Sequence, residues 1–174
     1  MEYFKEASIS NWSNIQSYCL SLWDQQSQDA IVLTDSALAF IQESLQIDMP
    51  NTTVKSAIMF INEAHFKQDM HVDGFNPRRI NASNTALNIP ILNCEGGEMY
   101  WYVGKYTLST TDLNGLGYLQ INWQTVPRLA AKKIINSPTI VRINVPHHII
   151  NNSDQPRIML SVRFADDIPL VSNT

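Results

Sequence analysis

From Arg157 to Phe164 the chain alternates without a break: Ile158, Leu160, Val162 and Phe164 fall on one side, Arg157, Met159, Ser161 and Arg163 on the other. Successive side chains of a β-strand point to opposite faces, so this segment is a strand between two unlike environments. One face must pack against an apolar layer. The other is either in solvent, where two arginines are unremarkable, or enclosed, where a guanidinium needs an anion to offset its desolvation. The run Thr139 to Ile150 alternates too. Val141, Ile143, Val145, His147 and Ile149 form an inward set, and Ile140, Arg142, Asn144, Pro146 and His148 an outward one. A slip of one residue would invert every side chain, so the pattern turns His147 inward and leaves His148, like His65, on the surface.

The rest of the chain moves from helix to strand. After Ser13, Ile15, Tyr18, Cys19, Leu22 and Trp23 recur at helical spacing, and a second helix starts at the N-cap candidate Asp35, carries Leu38, Ile41 and Leu45, and ends before Pro50. Further strands are expected over Ala57 to Asn62, Gln68 to Asp73, Thr85 to Asn93 and Glu98 to Val103, with a short helix over Val126 to Asn136 after Pro127. Asn76-Pro77, Gly96-Gly97 and Asn151 to Pro156 read as turns. Several short strands behind two helices make a mainly β chain, a β-sandwich or jelly roll with N-terminal helices packed on one outer face. At 174 residues it is expected to be a single domain: a mainly helical packing segment over 1–52, a jelly-roll core over 53–165 and a tail over 166–174.

Composition excludes several classes. A net charge of −4 argues against a protein held on nucleic acid by phosphate contacts. Two cysteines, Cys19 and Cys94, cannot make a disulfide framework, and reduced thiols in a cytoplasm are the default. The acidic N-terminus lacks the features of a signal peptide, and no stretch approaches the roughly 18 apolar residues of a membrane span.

Chemistry concentrates in a few residues. In His71-Val72-Asp73 the two polar side chains are two apart on a strand, so they project together and can grip one ion. His147, on a distant strand, is the natural third donor. Two imidazoles and a carboxylate occupy three neighbouring corners of an octahedral ferrous ion and leave three open. On the last strand Arg157, with Ser161, would suit the far carboxylate of a dicarboxylic acid, because a guanidinium fork matches a carboxylate bidentately. Arg163, six residues on, reads as a salt-bridged strand residue or as a sharer of that role. Arg78-Arg79 reads as a solvated loop that could also steer an anion.

His71-x-Asp73, then Pro146-His147-x-Ile149-x-Asn151, then Pro156-Arg157 followed by Leu160-Ser161-x-Arg163-Phe164, resemble the iron(II)- and 2-oxoglutarate-dependent oxygenases. Ala86 to Cys94 and Trp101-Tyr102 look most like a bacterial and phage-borne branch near the aspartyl/asparaginyl and prolyl hydroxylases. The likeness covers about residues 55 to 165. It implies a double-stranded β-helix, cupin-like in shape, in which His71, Asp73 and His147 bind Fe(II) and Arg157 binds 2-oxoglutarate. It also implies oxidative decarboxylation of 2-oxoglutarate by O2 to succinate and carbon dioxide, coupled to hydroxylation of an unactivated C–H bond. Asn88 and Tyr102, with Asn93 and Trp101, are candidate positioners around the co-substrate. The substrate would be a small molecule, a peptide or a protein side chain. Two other readings stay open: a cupin-like metal isomerase or hydrolase, which gives Arg157 no special reason to be present, and a jelly-roll binding protein without metal.

Overall fold

The structure, a computed structural model, describes residues 1–23, 29–73, 83–113 and 116–170. Its elements run β1 (Phe4–Glu6), α1 (Trp12–Leu22), β2 (Ala30–Val32), α2 (Asp35–Leu45), β3 (Val54–Asn62), β4 (His71–Asp73), β5 (Thr85–Leu92) and β6 (Gly97–Val103). They continue with β7 (Tyr106–Leu113), β8 (Leu116–Trp123), β9 (Arg128–Ile134), β10 (Thr139–Arg142), β11 (His147–Asn151) and β12 (Arg157–Phe164). Among the described residues every strand pair is antiparallel, and the strands form two six-stranded sheets, one in the order β1-β10-β5-β12-β3-β2 and the other β7-β8-β4-β11-β6-β9. This is a jelly roll, mainly β, with the two helices on one outer face.

The alternation of β12 explains the layering. Ile158, Leu160, Val162 and Phe164 join Leu87, Ile89 and Met59 in one buried cluster with Ile15 and Cys19 of α1 and Ala37, Ile41 and Leu45 of α2. The helices therefore cover the first sheet from outside. The intervening Met159 belongs to a second cluster between the sheets, with Ala86, Met99, Trp101, Val141 and Ile143. The second face of β12 is thus the enclosed one, and Arg157 is 1% exposed on it. Leu170 returns to the outer cluster, so residues just past β12 pack on the helical side.

Several local expectations change. Asp35 is the first residue of α2 rather than its cap, a place taken by Thr34. The segment 1–52 contributes two edge strands, β1 and β2, as well as helices. Residues Val126 to Asn136 are not helical: Arg128 to Ile134 form β9, paired with β6 from Glu98↔Ile134 to Val103↔Arg128. Tertiary pairing, with Ile135 fully buried just beyond, overrides the helix propensity of Leu129-Ala130-Ala131-Lys132-Lys133. The run Thr139 to Ile150 is two strands, one in each sheet, because the chain crosses between layers at Ile143 to Pro146, where proline offers no ladder donor. Its parity survives the crossing, with Val141, Ile143, Val145 and Ile149 all packed in the interior cluster. Asn76-Pro77 and Arg78-Arg79 lie outside the described residues.

Candidate metal centre

The crossing delivers His147 to the first position of β11, directly opposite His71 on β4. Asp73, two residues on, projects to the same side. One ligand atom from each of His71, Asp73 and His147 lies within 4.8 Å of the others. The two imidazole rings are 4.5 Å apart, and His71 Nε2 is 3.2 Å from Asp73 Oδ1. His71 and His147 are 4% and 2% exposed.

Backbone carbonyls set the ring orientations. His71 Nδ1 is 2.8 Å from the carbonyl of Asp69, and His147 Nδ1 is 2.8 Å from that of Val145. Each contact calls for a proton on Nδ1 and turns Nε2 toward the cluster, the arrangement that orients metal-binding histidines. The carboxylate is oriented too. Arg163 Nη2 donates to Asp73 Oδ2 at 2.7 Å, leaving Oδ1 on the side of His71. Burial alone would raise the Asp73 carboxyl, but the hydrogen bond and charge of His71, with the fields of His147 and Arg163, hold it well below the usual carboxylate range. Burial lowers His147 to about 4, helped by the charge of His71. In His71 burial is outweighed by the hydrogen bond and charge of Asp73, so its pKa is raised. The donor set fits a divalent transition metal: two imidazole Nε2 atoms and a carboxylate oxygen converge with their outer atoms tied down, and a metal ion would replace the proton that His71 shares with Asp73.

From Asp73 a polar chain runs into the interior. Arg163 Nη1 donates to Ser161 Oγ at 2.7 Å, and Ser161 donates to Asn88 Oδ1 at 2.7 Å. The structure thus connects Ser161 and Asn88 to the triad through Arg163. Arg157 is held apart from the triad on the same face of β12. Its Nη1 donates to Asn62 Oδ1 at 2.8 Å, and it fills the space left by Gly97, where a Cβ would run into its Nε and Cδ. Gly97 is four residues from Trp101, the partner of His147 on β6, a run of about 13 Å along an extended strand. Among the described residues no carboxylate pairs with Arg157, and its buried Nε has no hydrogen-bond partner. The neighbouring Cys94 thiol donates to the carbonyls of Leu92 and Ile158, and burial pushes its pKa up, so it brings no negative charge. A buried guanidinium left this way fits an anion between the sheets.

Other candidates have structural posts. Tyr102 stands on the outer face of β6, its ring 5.4 Å from that of His148, and does not reach the triad. Trp101 is fully buried and donates its Nε1 to the Arg142 carbonyl. Asn93 takes a left-handed turn, φ 50°, and donates to the Pro156 carbonyl. His65 is exposed and pairs with Asp154. His148 is a correction: it faces away from the triad as the alternation required, yet it is only 7% exposed, because Tyr100 and Tyr102 flank it on the outer face. Asn62, which orients Arg157, and Gly97, which makes room for it, escaped sequence reading. Only a glycine at the start of a strand hinted at a close approach.

No family model matches the chain, and no curated protein matches it in sequence. Solved structures do share the fold. A non-heme alpha-ketoglutarate-dependent carbocyclase, SnoK from nogalamycin biosynthesis, aligns with a TM-score of 0.54 at 12% identity over 95% of this chain and 80% of its own. A Pseudomonas putida prolyl-4-hydroxylase aligns with a TM-score of 0.50 at 8% identity over 94% of this chain and 92% of its own. At these identities the likeness establishes the jelly roll. Among the described residues no helix is long and apolar enough to cross a membrane.

Proposed function

We propose that this chain is an iron(II)- and 2-oxoglutarate-dependent oxygenase that hydroxylates an unactivated C–H bond. One observation carries the reading: the His71–Asp73–His147 cluster and Arg157, whose buried Nε has no hydrogen-bond partner among the described residues, both face the interior between the sheets, about four strand residues apart. A five-carbon dicarboxylic acid suits that span, chelating a metal at one end and meeting a guanidinium fork at the other. A hydrolase or isomerase built on the same three ligands gives Arg157 no anionic partner among the described residues.

In this reading His71 Nε2, Asp73 Oδ1 and His147 Nε2 hold ferrous iron, and the Asp69 and Val145 carbonyls keep both histidines in the ligating tautomer. Arg163 restrains the second oxygen of Asp73, so three positions of the ion stay open. Bound iron supplies the redox chemistry that couples decarboxylation of 2-oxoglutarate to oxygen activation. Arg157, oriented by Asn62, takes the far carboxylate, and the apolar packing of Met99, Trp101 and Met159 keeps water from that interior. Ser161 and Asn88 maintain the polar link behind Arg163. The two structural neighbours, one named for alpha-ketoglutarate dependence and one a prolyl-4-hydroxylase, support the reading through their fold.

The test is anaerobic titration of the metal-free chain with ferrous iron and then 2-oxoglutarate. A visible metal-to-ligand charge-transfer band that needs both is expected. Iron binding with no band at saturating 2-oxoglutarate would overturn the proposal in favour of a non-oxygenase metal protein.

A further inference from the structure

Next to β4, which carries His71 and Asp73, the second sheet continues into the β7–β8 hairpin, and this hairpin is built inside out. Residues directly opposite on neighbouring strands share a face. His71 lies opposite Gln120, and Gln120 opposite Ser109, so the three form one row across β4, β8 and β7 on the side that faces the molecule's interior. Asn122 and Thr107 continue that face two residues along. All four hairpin residues are exposed, and Asn122 Nδ2 donates to Ser109 Oγ at 3.2 Å. The opposite face carries Val72 and Leu119, both buried, then Leu108, Ile121, Tyr106 and Trp123. A hairpin that merely widened the sandwich would turn its apolar side inward. This one presents amides and hydroxyls inward, uncovered, beside a metal-ligand candidate.

We infer that this shelf docks the primary substrate, and that the substrate is an uncharged polypeptide segment held through its amide groups; the inference rests on the oxygenase reading above. Thr107, Ser109, Gln120 and Asn122 offer no charge to a phosphate, carboxylate or ammonium group. Their amides and hydroxyls both donate and accept, which matches peptide N–H and C=O groups. β7 also ends its sheet, so among the described residues its outer backbone edge has no strand partner, and an extended chain leaving the shelf can pair there.

The test is nuclear magnetic resonance on the nitrogen-15-labelled full chain, metal-free and zinc-loaded, following the side-chain amide signals of Gln120 and Asn122. The probes are a mixture of capped octapeptides of Ala, Gly, Pro, Ser, Asn and Gln, parallel mixtures enriched in Glu or Lys, and maltohexaose. The neutral peptides are expected to shift both signals, and Gln120→Ala and Asn122→Ala each to weaken binding roughly fivefold, while Leu108→Ala, on the outer face, leaves it unchanged. Shifts confined to the charged mixtures, to maltohexaose or to the outer face would overturn the shelf, as would silence from every probe. The iron titration is independent of this outcome. A charge-transfer band with silent Gln120 and Asn122 refutes the shelf alone, and peptide shifts without a band refute the oxygenase alone.

Discussion

Arg163 reaches from β12 in one sheet to Asp73 on β4 in the other, closing a 2.7 Å ion pair across the interior. It is the strap that fixes the carboxylate before any metal arrives. Removing one partner of a buried pair costs roughly 3 to 5 kcal/mol. These side chains keep 18% and 24% of their surface, so Arg163→Ala should cost less, about 2 to 3 kcal/mol after screening. Urea unfolding of the metal-free variant measures this, and a loss below half a kcal/mol, a figure of about surface-pair size, would show that the strap is idle.

The adjacent histidines should part company in metal binding. His147 faces His71, whereas His148 sits between Tyr100 and Tyr102 on the other side of β11. His147→Ala should lose iron and His148→Ala should retain it, read as iron per chain after desalting. Iron loss confined to His148→Ala would mean that the ligands are misassigned.

Gly97 offers a way to disturb Arg157 without touching it. A methyl group there collides with the guanidinium stem, so Gly97→Ala should push Arg157 out of its niche beside Asn62. Both Gly97→Ala and Arg157→Ala should weaken 2-oxoglutarate binding by roughly a hundredfold or more while leaving iron in place, since a desolvated charge loses its partner. Unchanged affinity in both variants, measured by calorimetry, would move the anchor elsewhere, with Arg163 the first alternative.

Alkaline stability should report on Cys19. Burial pushes its thiol up to about 12, against an ordinary value of 9.0. Between those values the unfolded chain releases a proton that the native chain keeps, so stability falls as pH rises above 9.0, by up to about 1.4 kcal/mol per pH unit. Below 9.0 the group contributes no slope. Cys19→Ala should flatten the dependence above pH 9, and an identical slope in wild type and variant would contradict the assignment.

The period of two was the part of the fold most open to sequence reading. In β12 it separated Ile158, Leu160, Val162 and Phe164 from Arg157, Met159, Ser161 and Arg163, leaving it to the structure to show that the second set is enclosed, and in β10 and β11 it held its parity even where the strand broke. The break itself was hidden, because whether Pro146 marks a bulge or a passage between sheets depends on Asn84 and Tyr102, remote residues whose backbone pairs with the crossing. β9 was hidden for a similar reason, its helix-forming residues being drawn into pairing by β6. His71, Asp73 and His147 could be picked out by spacing and order. Arg163 could be read as salt-bridged, but its partner could not be named, since only the opposite sheet brings Asp73 to it.

The ligands sit 74 positions apart along the chain between Asp73 and His147, and they meet only when β11, arriving from the first sheet, pairs with β4. The second sheet alone brings the three side chains together, and the first adds Arg163 behind Asp73. In the proposed reading metal capture needs β4 paired with β11, and by mass action it favours the native state over every form in which these strands are apart, by about 2.7 kcal/mol at a hundredfold excess over the dissociation constant. Metal withdrawal should accordingly lower the whole unfolding transition rather than loosen one end of the barrel.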